Sequence, residues 1–69
     1  MDRRQQEALN NVFTKHIHAA RLMKDDPTDE RFEAFATITN RHVEIYMANH
    51  EPETLITAED IKNNLHHIS

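Results

Sequence analysis

Six histidines, His16, His18, His42, His50, His66 and His67, are the side chains of this sequence best suited to chemistry. Imidazole binds metals and moves protons near neutral pH. Helical metal sites place ligands three or four residues apart, as in H-E-x-x-H or the Glu-x-x-His of carboxylate-bridged bundles. Neither pattern occurs here. His16 and His18 stand two apart and diverge by about 200° on a helix. A metal site would have to be assembled across helices, for example from His16 and His42, and no metal or other cofactor is expected. Both of these residues project onto apolar helical faces. One reading is therefore a pH or metal sensor, in which a buried neutral histidine must charge as pH falls. The plainer reading is structural, with His66 and His67 at a helix C-terminus, where positive charge is favourable.

Nucleophilic chemistry has less to draw on. The chain has no cysteine, which excludes disulfides and thiolate zinc sites, and its one serine is Ser69. A fraying chain end is a poor place for a nucleophile that needs rigid partners. Carboxylates are abundant, but Asp25-Asp26 and Asp29-Glu30 read as helix caps and first-turn charges. Glycine is also missing, so phosphate-binding glycine loops and tight two-residue hairpins are ruled out. A chain of 69 residues leaves little room for an enclosed substrate pocket. No enzymatic activity is expected.

The elements that would position these residues are helices. Residues Arg3 to Lys24 read as one amphipathic helix, with Asp2 as N-cap and Gln5 completing a capping box. Leu9, Val12, Phe13, Ile17, Ala20 and Met23 share its apolar face. Asp26-Pro27 ends it, and a second helix is expected from Pro27 to Asn49, capped by Asp26 with Thr28 as the rival. Its apolar residues cover an arc of about 200°, wider than one neighbour can bury. A third helix, Ala58 to Ile68, is signalled by Thr57 as N-cap, Asp60 at N3 and an Ile56–Ile61 staple. The reading is an all-α single domain spanning 1–69: two long antiparallel helices and a short C-terminal one. So small a core needs a stabilising device, and with no disulfide available a homodimer through the second helix is expected.

Charge is split along the chain. Residues 1–24 hold five basic and two acidic side chains, a net +3, whereas residues 25–69 hold three basic and ten acidic, a net −7. Arg3, Arg4, Lys15, His18 and Arg21 form a basic face of the first helix, the candidate nucleic-acid surface. Against that reading, the sequence pI is about 5.8 rather than above ~9. The link between the second and third helices is also too long for a helix-turn-helix. No apolar run follows Arg3-Arg4 and none approaches the length of a membrane span, so a cytoplasmic protein with no leader and no membrane contact is expected.

These observations favour action by contact. The function read from the sequence is that of a small regulatory or inhibitory protein that binds a larger protein through a helical surface. Phe35, Ile38, His42, Ile45 and Tyr46 are the candidate apolar seam for that partner or for a second copy. Asp29, Glu30, Glu33, Glu44, Glu51 and Glu53 are its candidate acidic rim, which would select a basic partner. The alternatives are a DNA- or RNA-associated regulator using the basic face, and the histidine sensor.

Overall fold

A computed structural model of the chain describes every residue except Ala48, His50, Glu51 and Glu53. Among the described residues 74% are helical and none is in a strand. Helix α1 is Arg3–Lys15, α2 is Ile17–Asp25, α3 is Asp29–Tyr46 and α4 is Ala58–Lys62, followed by a 3-10 turn at Leu65–His67. No described residue has positive φ, as suits a chain without glycine. Among the described residues no helix is long and apolar enough to cross a membrane.

Helix α1 starts as its capping box requires. Asp2 Oδ1 accepts from the Gln5 N–H at 2.8 Å, and Gln5 Oε1 accepts from the Asp2 N–H at 2.9 Å. Gln5 has a second task. It is buried, and its Nε2 donates to the Thr54 carbonyl at 2.7 Å, tying the start of α1 to the segment before α4.

The single first helix expected from the sequence is broken. His16 leaves the helical region at φ −115°, ψ 47°, and the ladder resumes with the Ala20 N–H donating to the His16 carbonyl. The buried stripe of α1 (Gln5, Leu9, Val12) would reach His16 next on a straight helix. The break lets that polar ring stay exposed, which avoids its desolvation cost. The buried-neutral reading of His16 is thereby overturned.

Helix α2 buries Ala20 and Met23 and ends at Asp25, with Asp26 as its C-cap. Asp26 does not cap α3. Its carbonyl and Oδ2 both accept from Arg31 Nη1 at 2.9 Å. Thr28 is the N-cap instead, its Oγ1 accepting from the Arg31 N–H at 3.2 Å. The rival cap prevails because Thr28 has the extended backbone that a cap needs, φ −136°, ψ 153°.

Helix α3 stops at Tyr46 rather than Asn49. Ile56 must come back to lie beside Asn40, and each further helical residue would carry the chain ~1.5 Å the wrong way. Thr57 and Asp60 cap α4 reciprocally, as expected. The expected helix to Ile68, however, yields after Lys62 to a turn and the 3-10 segment. Asn64 Nδ2 donates to the Asp60 carbonyl at 2.7 Å, a side-chain bond that competes with regular helix continuation.

One apolar cluster joins all these pieces. Leu9, Val12 and Phe13 of α1 meet Ala20 and Met23 of α2, Phe32, Phe35 and Ala36 of α3, and Ile56, Ile61 and Ile68. Helix α3 packs against both α1 and α4. The C-terminal strap is held at its carbonyls: Arg21 Nε donates to Ser69 O and Lys24 Nζ to Ile68 O, each at 3.0 Å. No buried side-chain polar atom among the described residues lacks a partner.

Candidate functional site

The two faces of α3 have different fates. Phe32, Phe35, Ala36, Thr39 and Val43 follow helical spacing and are buried. Thr39 is tolerated there because its hydroxyl donates to the Phe35 carbonyl at 2.7 Å. The stripe through Ile38, His42 and Ile45 begins one residue earlier, about 100° around the helix. It meets little protein. Ile38 is 39% exposed, Ile45 60% and Tyr46 67%, and Leu55 beside them is 69% exposed.

Those four side chains present on the order of 450 Å² of largely apolar surface, taking ~200 Å² for a fully exposed large residue. The largest apolar patch on an ordinary monomer is about 300–600 Å² and is often functional, whereas apolar residues scattered singly need no explanation. Continuity is supplied by two shallow grooves that share Ile45 and Arg41. One, of about 510 Å³, runs toward Leu55 past Thr37, Asn40 and Glu44. The other, of about 200 Å³, lies between α3 and the break after α1. Val12, Ile38, Ile45 and Tyr46 form its apolar wall, and its polar lining is Lys15, His16, Arg41 and His42. The His42 and Tyr46 rings sit 4.7 Å apart, so one ring props the other along the groove edge.

The candidate seam is thus brought together except for Phe35. That ring is 5% exposed and packs on Phe13 at 5.6 Å between centroids. It belongs to the core, because α1 covers its side of α3 and leaves the next face open. Leu55 was missed; as the exposed neighbour of the staple residue Ile56, it offered no periodic signal.

Of the described acidic rim residues, Asp29, Glu30 and Glu33 are exposed on the first half of α3, Glu33 lying ~7.5 Å along the helix from Ile38 and ~18 Å from Ile45. Only Glu44 borders the seam, in the larger groove. Glu51 and Glu53 lie outside the described residues, as does His50. Among the described residues, Lys15 and Arg41 also line the apolar surface, beside Glu44.

The candidate nucleic-acid face is also divided. Arg3, Arg4, Lys15, His18 and Arg21 are all exposed, but the break at His16 separates the α1 residues from those of α2. Arg3 lies 3.5 Å from Glu7, Arg21 holds the C-terminal strap, and Lys15 joins the groove beside Arg41. His16 and His42 share that groove, yet no cluster of three His, Asp or Glu suited to a metal occurs among the described residues.

The arrangement is an exposed apolar strip with polar margins. Comparison of the chain with protein families, with curated proteins and with solved structures finds no match, so this reading rests on the geometry alone.

Proposed function

We propose that this chain is a small non-enzymatic regulatory or inhibitory protein that binds a larger protein through the second half of α3. The observation that carries the reading is the exposure of Ile38, Ile45, Tyr46 and Leu55 along two grooves that share Ile45 and Arg41. An apolar centre of this size with a polar margin suits the ~800 Å² per partner of a standard interface. Tyr46 is of a residue type enriched at binding hot spots.

The test is affinity capture from native lysate with the wild-type chain and with Ile45→Asp/Tyr46→Asp. Both positions are solvent-exposed, so the variant is expected to keep its helical circular dichroism and melting temperature. A defined partner retained by the wild type and lost by the folded variant supports the reading. A partner retained equally by both contradicts it.

A further inference from the structure

The geometry points to an acidic amphipathic helix as the occupant of the groove between α3 and the α1–α2 break. This inference rests on the reading of α3 as a docking face and adds the chemistry of what docks there. Lys15, His16, Arg41 and His42 are the polar residues of that groove, drawn from both of its walls, and no carboxylate is among its described lining residues. Ile38, Ile45 and Tyr46 lie along it at helical spacing, so a partner helix with apolar residues at i, i+3, i+4 and i+7 can seat its own stripe on theirs. Glutamates or aspartates flanking that stripe would then meet cations.

The same charges argue against the other occupants. A two-fold contact pairs a patch with itself, residue i meeting residue j, so a second copy docked there would bring a groove lining that offers cations and no described carboxylate to pair with Lys15 and Arg41. A head-to-tail copy offering the acidic first half of α3 brings no large exposed apolar side chain, because Phe32 and Phe35 are buried. A nucleic acid would satisfy the cations but leave Ile38 and Ile45 against a charged, hydrated backbone.

The probes are two fluorescent peptides about 15 residues long, near the length at which isolated helices become stable. One carries leucines at i, i+3, i+4 and i+7 flanked by glutamates, and its twin has lysines in place of the glutamates. Anisotropy titration of the intact protein should show the glutamate peptide binding about tenfold more tightly, a preference that shrinks as salt rises. Lys15→Glu/Arg41→Glu should reverse the order, and Ile45→Asp should abolish binding of both. Equal binding of the two peptides, lost on Ile45→Asp, would overturn the charge assignment and leave the docking face standing. Binding of neither, or binding indifferent to Ile45→Asp, would overturn both. Tighter binding of a single-stranded oligouridylate than of the glutamate peptide, or a dimer by light scattering that Ile45→Asp dissociates, would replace the acidic helix by those occupants.

Discussion

The Asn40 carboxamide grips one residue of the returning chain at both backbone groups. Its Nδ2 donates to the Ile56 carbonyl and its Oδ1 accepts from the Ile56 N–H, each at 2.9 Å. The pairing resembles one rung of a sheet ladder, supplied by a side chain. It fixes the segment before α4 against α3, drops Ile56 into the core and leaves Leu55 outside beside Ile45. The exposed apolar strip and the core are therefore held by the same amide.

Removing that amide should cost more than a surface change. Asn40→Ala leaves two partly buried backbone groups without their partner, a loss of about 2–3 kcal/mol. In a domain of this size that corresponds to a fall in melting temperature of roughly 10–20 °C. Asn11→Ala, exposed on α1, should change stability by less than about 0.5 kcal/mol. Equal effects in thermal melts would show that the Asn40 clamp carries no stability.

Phe35 and Ile45 separate core from surface on one helix. Phe35→Ala opens a cavity against Phe13 and should cost about 3–5 kcal/mol, enough to unfold much of the population. Ile45→Ala should stay within about 0.5 kcal/mol, because that side chain is already mostly in water. Urea denaturation of the two variants checks this. A large loss for Ile45→Ala would mean that Ile45 is a core residue and not part of an open face.

The break at His16 makes an unusual demand on proline. Ile17 is the first residue of α2, a position that tolerates proline, and His16 before it is already outside the α region. Ile17→Pro should therefore lose only the packing of a half-buried side chain, about 1–2 kcal/mol. Leu22→Pro, on an exposed residue inside α2, should cost about 3 kcal/mol or more. Chemical denaturation that ranks Ile17→Pro as the worse of the two would indicate one continuous helix.

What could be read from the sequence was local. Asp2 with Gln5, and Thr57 with Asp60, act within one turn, so their residue types announce the caps. The breadth of the apolar arc on α3 was legible too, because spacing alone sets it. Which half of that arc stays open was not, since covering Phe35 and sparing Ile45 depends on where α1 lies. No proline or glycine marks the break at His16; it arises from a polar ring falling on the line of the core. Nor does any local pattern link Asn40 to Ile56, sixteen residues away. That Lys15 and Arg41 line one groove was hidden for the same reason, because they come to it only after α1 and α3 pack.

Site-specific photocrosslinking in the native cell measures the central claim most directly. A benzophenone amino acid is placed at position 45, and in a second strain at position 22, where Leu22 is similarly exposed on α2. Position 45 should give a discrete, heavier adduct and position 22 none. The same adducts from both positions, or an adduct from position 22 alone, would contradict it.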